Sequence, residues 1–210
     1  MDRDFWRSSW ERVDRSRVAA CLAAAETACA PLITLLRDAG AHTVCDAGCG
    51  CGALSAALLR AGFAVSGFDT APAAVELARA AVPGAALKTA DVCDTGYASG
   101  AFDAVVCRDV LDHMPLADAR RAAAELLRIT RPGGLAVFTV DAADEEYDRE
   151  IHTLTADCDR VYTAGKWAGM VFHAYDRAGL AALIPAGAAW ELREDGDDLT
   201  VLVRNRRGLL

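Results

Sequence analysis

The chain has 210 residues, of which 53% are hydrophobic and 25% are charged, a composition typical of a folded protein. This length suits one domain, and it allows a core that needs neither disulfides nor a metal for stability. The net charge of −8 at pH 7 argues against a protein that coats nucleic-acid phosphates, and no apolar stretch is long enough to span a bilayer.

Eight cysteines raise the question of disulfides. The start of the chain, Met1-Asp2-Arg3-Asp4, leads into no apolar segment, so we expect no secretory signal and a cytoplasmic location. Thiols stay reduced in that compartment, and several of these cysteines lie among small and β-branched residues. The closest group, at positions 45, 49 and 51, lacks the C-x-x-C spacing typical of zinc sites, so we expect structural thiols.

Strands and helices alternate along the first two thirds of the chain. Residues 4–38 read as helix, interrupted at Pro31. The predicted strands that follow are residues 42–46, 63–69, 86–91, 102–107 and 135–140, with helices at 52–61, from Pro72 onward and at 115–130. This alternation indicates βαβ units on a parallel sheet.

The last sixty residues have a different character. A small hairpin or loop insertion is predicted around Gly165 and Gly169, followed by a helix at 176–184. The dipeptide Asp195-Gly196 then separates two short apolar segments, and it is typical of the tight turn of an antiparallel hairpin.

Polar or glycine residues follow four consecutive predicted strands. They are Asp46 with Gly48, Gly50 and Gly52 after the first strand, Asp69 after the second, Asp91 after the third, and Arg108, Asp109, Asp112 and His113 after the fourth. Ligands bind outside the carboxyl ends of strands in open α/β sheets. Glycines let the backbone approach a ligand closely, and an acid at the end of the next strand can accept both hydroxyls of a ribose. The pattern therefore predicts a site for a nucleoside-containing cofactor.

The stretch Asp46-Ala47-Gly48-Cys49-Gly50-Cys51-Gly52 resembles the D-x-G-C-G-x-G signature of class I S-adenosylmethionine-dependent methyltransferases. The resemblance continues in order to about residue 140, through Gly67-Phe68-Asp69, Ala90-Asp91-Val92 and the Arg-Pro-Gly-Gly segment at 131–134. It implies an α/β fold with a Rossmann-like seven-stranded mixed sheet in the order 3-2-1-4-5-7-6. The last strand pair would be antiparallel, helices would flank the sheet, and an N-terminal helical cap would precede it.

The resemblance leads us to expect a single domain over residues 1–210. Its expected parts are an N-terminal helical cap at 1–40, a cofactor-binding core at 41–140, an acceptor-side insertion and helix at 141–187, and a terminal hairpin at 188–210.

The resemblance also implies S-adenosylmethionine as the cofactor and S-adenosylhomocysteine as its product. The glycine loop would contact the methionine and ribose, Asp69 the ribose hydroxyls, and Asp91 and Val92 the adenine. Arg108 and Asp109 would lie beside the methionine end and the acceptor pocket. The full expected cofactor-binding set is Asp46, Ala47, Gly48, Cys49, Gly50, Gly52, Asp69, Thr70, Asp91, Val92, Arg108 and Trp10. Trp10 lies one helical turn from Trp6, which fits either simple packing of a terminal helix or a lid over the cofactor.

The candidate catalytic residues are His113, Asp109, His173 and Tyr162. The spacing of Asp109, Asp112 and His113 places them on one face of a predicted helix. It partly resembles the acid-x-x-acid-His-His metal site of small-RNA ribose methyltransferases and the E-x-x-x-H stretch of some quinone-pathway O-methyltransferases. Met114 replaces the second His, so we expect no metal here. Positioning of the acceptor or cofactor is favoured, and helix capping by Asp112 is the alternative.

His173 and Tyr162 lie after the fifth strand, in the segment that largely sets acceptor selectivity in the family. The absence of an added RNA-binding module favours a small-molecule acceptor, with no nucleic-acid or membrane partner, in a monomer or a homodimer. The alternatives are a protein or tRNA methyltransferase of the same fold and a non-catalytic S-adenosylmethionine-binding protein. A nicotinamide-dependent oxidoreductase would need G-x-G-x-x-G, which is missing.

Overall fold

The computed structural model describes residues 4–141, 147, 149–186, 188–195 and 198–205. The helices are α1 (Asp4–Glu11), α2 (Ser16–Ala28), α3 (Ala30–Asp38), α4 (Ala53–Arg60), α5 (Pro72–Ala81), α6 (Leu116–Ile129) and α7 (Arg177–Leu183). The strands are β1 (Thr43–Ala47), β2 (Ala64–Asp69), β3 (Ala86–Thr89), β4 (Phe102–Arg108), β5 (Thr130–Asp141), β6 (His152–Leu154), β7 (Arg160–Tyr162), β8 (Val171–Phe172), β9 (Ala189–Asp195) and β10 (Asp198–Arg204).

Seven strands form the main sheet in the order β3-β2-β1-β4-β5-β10-β9. The pairs from β3 to β5 are parallel, whereas β10 pairs antiparallel with both β5 and β9. Because β9 and β10 are the sixth and seventh strands of this sheet along the chain, the predicted order and the antiparallel last pair are confirmed. The predicted turn residue Gly196 lies outside the described residues.

Apolar residues cover both faces of the sheet. Val105 in β4, Leu126 in α6 and Phe138 in β5 belong to one buried cluster, and Leu58 in α4 and Val106 in β4 belong to another. Neighbouring residues of β4 therefore join opposite clusters, as expected for a strand whose side chains alternate between two helical layers. Because the sheet is packed on both faces, it fixes the positions at which the loops of its carboxyl edge begin.

Two boundaries differ from the sequence prediction. The N-terminal helical region is broken at residues 12–15 and at Cys29, while Pro31 lies in the first turn of α3, where its missing N–H costs nothing. Strand β5 begins at Thr130, five residues early, because Thr130 already pairs with Phe102 of β4, while the Arg-Pro-Gly-Gly segment bulges out of the pairing. The pairing between β4 and β5 shifts register there, between Phe102 and Ala104.

The segment after β5 contributes a second sheet rather than a single hairpin. Strands β6, β7 and β8 pair antiparallel in that order.

Among the described residues no single helix is long and apolar enough to cross a membrane. Helices α2 and α3 reach that length only together, and the angle between them is 51°.

Candidate active site

A cleft lies at the carboxyl ends of β1, β2, β3 and β4. Its volume is about 950 Å³, which includes the part that is open to solvent. Its lining residues are Trp6, Trp10, Gly48, Gly50, Phe68, Asp69, Thr70, Ala90, Asp91, Val92, Cys93, Asp109, Val110, His113, Met114 and Val171. Nine of the sequence-predicted site residues are therefore in one place: Gly48, Gly50, Asp69, Thr70, Asp91, Val92, Asp109, His113 and Trp10.

The glycine loop between β1 and α4 forms one wall of the cleft. Gly48 and Gly50 have φ angles of +77° and +51°, a region that side chains rarely adopt. A Cβ at Gly48 would collide with Val110, and one at Gly50 would lie 2.8 Å from Cζ2 of Trp10. The loop is glycine-rich because its backbone is left-handed and because α1 and the segment after β4 pack closely against it.

Asp69 at the end of β2 holds the glycine loop in position. Its Oδ2 accepts a hydrogen bond from the Gly50 N–H at 3.0 Å, and its Oδ1 accepts one from the Ala71 N–H at 2.9 Å. Burial raises the pKa of this carboxyl above its ordinary value. A carboxylate oxygen can accept two hydrogen bonds, so each oxygen keeps an acceptor position for a ligand hydroxyl.

Asp91 lies just beyond β3, which ends at Thr89 rather than at residue 91 as predicted. Its Oδ1 accepts a hydrogen bond from the Cys93 N–H at 2.9 Å, and Asp91 also forms an isolated bridge with Asp94. This turn presents Val92 and Cys93 to the cleft as a mostly apolar wall.

The segment after β4 is not the helix that the spacing of its polar residues predicts. A short 3-10 turn covers Leu111–His113, and Asp109 precedes it with a φ of +54°. Asp109 is exposed, whereas Asp112 is fully buried, so the two carboxylates do not share a face. Asp112 does not cap a helix; its Oδ2 accepts a hydrogen bond from the Asp141 N–H at 3.0 Å.

His113 lines the cleft with a side chain that is only 9% exposed. Its ring centroid lies 4.7 Å from that of Trp6 and 5.8 Å from that of Phe172. Burial lowers the pKa of His113, and burial raises the pKa of neighbouring Asp112 to about 7. The imidazole is therefore neutral near pH 7, and one of its ring nitrogens carries a free lone pair.

Seven predicted site residues do not line this cleft: Asp46, Ala47, Cys49, Gly52, Arg108, Tyr162 and His173. Asp46 lies beneath the glycine loop, where its Oδ2 accepts a 2.6 Å hydrogen bond from the Ser55 hydroxyl of α4. Arg108 donates instead to the Cys29 thiol at 3.7 Å, at the junction of α2 and α3.

Tyr162 and His173 are buried in the lobe built around the small sheet. The Tyr162 hydroxyl donates to the Tyr147 carbonyl at 3.1 Å. The Nδ1 of His173 lies 2.8 Å from Oδ1 of Asp159, a carboxylate that also accepts the Leu116 N–H at the start of α6. The Tyr162 hydroxyl thus connects two segments of this lobe, and the pair of His173 with Asp159 connects the lobe to the start of α6.

Several residues that line the cleft were not predicted as site residues from the sequence. Phe68, Ala90, Val110, Met114 and Val171 are apolar, and an apolar residue beside a polar strand end looks the same whether it packs in a core or contacts a ligand. For Phe68 and Ala90, the neighbouring predicted site residues Asp69 and Asp91 were the sequence feature that could have identified them.

All eight cysteines are free thiols, and five are buried.

Comparison with known proteins finds a methyltransferase domain in the central part of the chain. Residues 45–138 match the model of a methyltransferase domain. An uncharacterized methyltransferase from Mycobacterium sp. (strain KMS) is 36% identical over 100 residues, which cover 48% of this chain and 39% of that protein. The chloroplastic magnesium protoporphyrin IX methyltransferase of Arabidopsis thaliana is 41% identical over 88 residues, which cover 40% of this chain and 28% of that protein. The matched region therefore spans well under half the length of these relatives.

A solved structure supports the fold over a larger share of the chain. SAM-bound CalS10, an amino pentose methyltransferase from Micromonospora echinaspora, has a TM-score of 0.65 at 24% identity, covering 86% of this chain and 91% of its own. The sheet order, the glycine loop and the domain match agree: residues 45–138 match a methyltransferase domain, and the fold is that of the class I S-adenosylmethionine-dependent methyltransferases.

Proposed function

We propose that this chain transfers a methyl group from S-adenosylmethionine to a small-molecule acceptor. The observation that carries the proposal is the cleft, which joins the glycine loop, Asp69 and the Asp91–Asp94 turn with Asp109 and His113 after β4. A nucleoside-recognition wall and a polar, partly aromatic wall in one cavity suit a reaction between a bound cofactor and a second molecule.

The residues present fit the cofactor. Asp69 retains acceptor positions for ribose hydroxyls, and Val92 and Cys93 offer an apolar surface for a base next to the Asp91 carboxylate. Gly48 and Gly50 both line the cleft, so the glycine loop can contact a ligand there. The carboxylates at this edge of the sheet favour a cation, and S-adenosylmethionine carries a positive sulfonium.

S-adenosylmethionine, when bound, supplies a methyl group on an excellent leaving group. The protein's task is then to position the acceptor at attack distance and to exclude water. Trp6 and Trp10 of α1 cover the cleft, and His113 offers a neutral ring nitrogen at its wall. We assign His113 and Asp109 to the acceptor end, while Tyr162 and His173 support the lobe that contains β8.

Three observations support a small acceptor. The Arabidopsis relative is named for a porphyrin and CalS10 for an amino pentose, both small molecules. The net charge of −8 disfavours a polyanionic partner such as tRNA. Aromatic side chains of α1 also line the cleft, and a cavity with apolar and aromatic walls suits a small organic acceptor. We further propose a single domain in the cytoplasm, as a monomer or homodimer.

The cofactor site is tested by calorimetry with S-adenosylhomocysteine. Asp69→Asn should weaken binding at least ~10-fold, because a charge-assisted hydrogen bond contributes about 1.5–3 kcal/mol. Glu76→Gln, which removes the same charge from an exposed position on α5, should bind as the wild type does. Equal affinities for the wild type and Asp69→Asn would contradict the assignment.

The acceptor class is tested by labelled-methyl transfer from S-adenosylmethionine into a cell extract. We expect label in the metabolite fraction. Label confined to protein or to RNA would instead identify a macromolecular methyltransferase, and cofactor binding with no label in any fraction would identify a non-catalytic binding protein.

A further inference from the structure

Three potential ligand side chains from two separate segments meet beside the cleft. Asp112 and His113 belong to the 3-10 turn after β4, and Asp141 ends β5. Each of the three offers one ligand atom, and these atoms lie within 4.8 Å of one another. His113 also lines the cleft, so the cluster lies at the acceptor end of the proposed active site.

Two of these side chains have polar atoms without a hydrogen-bond partner in the described part of the chain. They are Oδ1 of Asp112 and Nδ1 of His113, and both atoms are buried. The Asp112 side chain is 0% exposed and that of His113 is 9% exposed. A buried polar atom left unsatisfied costs about 1–3 kcal/mol, so native proteins rarely keep such atoms on neighbouring residues unless something else binds there.

We propose that Asp112, His113 and Asp141 bind one divalent transition-metal ion, of the Mn²⁺, Fe²⁺ or Zn²⁺ type. An imidazole with two carboxylates is a mixed nitrogen and oxygen donor set, which suits these ions. Mg²⁺ prefers oxygen ligands alone and keeps several waters, so it fits this set less well. Bonds of about 2.0–2.2 Å place ligand atoms roughly 3–4 Å apart, and modest side-chain movements bring the present atoms within that range.

Hydrogen bonds within the fold already orient the two carboxylates. The Asp141 N–H donates to Oδ2 of Asp112 at 3.0 Å, and the Tyr147 hydroxyl donates to Oδ2 of Asp141 at 3.2 Å. Such outer contacts are typical of metal ligands, because they fix the direction of the lone pairs. They leave Oδ1 of Asp112 available for an ion.

This ligand set is not the one that the sequence spacing suggests. Asp109, the expected partner of Asp112 and His113, is exposed and has a positive φ, and it is not part of the cluster. Asp141 takes the third position because β5 runs beside β4. The ion's role in catalysis rests on the proposed function: a cation here would bind an acceptor heteroatom and lower its pKa. Metal binding itself does not depend on that function.

The test is a titration of chelator-treated protein with Mn²⁺, without cofactor or acceptor. Binding is measured as the decrease in the electron paramagnetic resonance signal of free Mn²⁺. We expect one ion per chain, displaced by Zn²⁺ and not by an equal concentration of Mg²⁺. Asp141→Asn and His113→Ala should each weaken binding at least ~10-fold, and Asp109→Asn should match the wild type. Asp141→Asn keeps its backbone N–H, so its fold should persist; thermal unfolding and S-adenosylhomocysteine affinity check this.

The proposal is overturned if the wild type binds no Mn²⁺, if Asp141→Asn binds as tightly as the wild type, or if Asp109→Asn abolishes binding. A metal-free chain that still binds S-adenosylhomocysteine would leave the proposed function standing. A metal-binding chain that fails to bind S-adenosylhomocysteine would contradict the proposed function and leave the metal site standing.

Discussion

Asp46 shows how a single buried carboxyl links the cofactor loop to the stability of the fold. It is fully enclosed beneath the loop and has one strong partner, the Ser55 hydroxyl. Burial raises the pKa of Asp46 from 3.8 to about 6, because hydrogen bonds from Ser55 do not fully replace the lost water. The sequence placed this residue in the cofactor site by its motif, whereas its contacts in the structure are those of a support for α4.

The shifted pKa predicts a pH-dependent stability. Between pH 4 and 6 the folded protein holds a proton on Asp46 that the unfolded chain has released, so the free energy of unfolding falls as the pH rises through this interval. The contribution is at most about 3 kcal/mol. Asp69 and Asp112, whose pKa values are also raised by burial, act in the same direction.

Urea unfolding at several pH values measures this effect. Asp46→Asn cannot ionise, so its free energy of unfolding should fall less steeply between pH 4 and 6 than that of the wild type. Ser55→Ala, which removes the hydrogen bond that favours the charged form, should extend the fall to higher pH. Identical slopes in Asp46→Asn and the wild type would contradict the assignment.

Helix α1 forms part of the cleft wall. It contributes two lining residues, Trp6 and Trp10, and Trp10 packs so closely on Gly50 that this position admits no Cβ. The sequence left open whether the paired tryptophans formed a lid or packed passively. Their position against the glycine loop supports the lid, because a ligand that reaches Gly50 must also meet Trp10.

Tryptophan fluorescence tests the role of α1. Binding of S-adenosylhomocysteine should change the emission of the wild type, since two of its four tryptophans line the cleft. Trp10→Phe should lose much of this change and bind several-fold more weakly. Trp190→Phe, in β9 on the far edge of the sheet, should retain the full response. A full response in Trp10→Phe would show that α1 does not cover the ligand.

The 3-10 turn after β4 is the element for which the sequence prediction was wrong. The i, i+3, i+4 spacing of Asp109, Asp112 and His113 indicated a common helical face. The chain instead places Asp109 in the left-handed region and turns Asp112 inward to the N–H of Asp141. Local spacing favours a helix, but a hydrogen bond to a strand 29 residues away decides the conformation.

For the whole molecule, two apolar layers on the central sheet supply most of the stability. Leu126 of α6 is completely buried against one face, and removing most of its side chain leaves a cavity that the rigid sheet cannot fill. Leu126→Ala should lower the free energy of unfolding by about 2–5 kcal/mol.

Leu154→Ala is the matched control, because this leucine of β6 is 65% exposed. Its free energy of unfolding should stay within about 0.5 kcal/mol of the wild type. Urea unfolding with unchanged m-values checks both variants. An equal loss in the two variants would mean that the small sheet, and not the main one, limits the stability of the chain.

The sequence by itself indicated a parallel sheet and predicted the cofactor wall of the cleft, and its resemblance to class I methyltransferases implied the strand order. Alternating strands and helices imply parallel pairing, and each strand then delivers its last residues to one edge; Gly48, Gly50, Asp69 and Asp91 were predicted for that reason. The tertiary structure alone decided which residues of distant segments meet. Asp141 joins Asp112 and His113 because β5 lies next to β4, and His173 pairs with Asp159 to anchor the small sheet. Such long-range contacts produce no periodic pattern of residues in the sequence, since they depend on how strands, turns and burial combine in space.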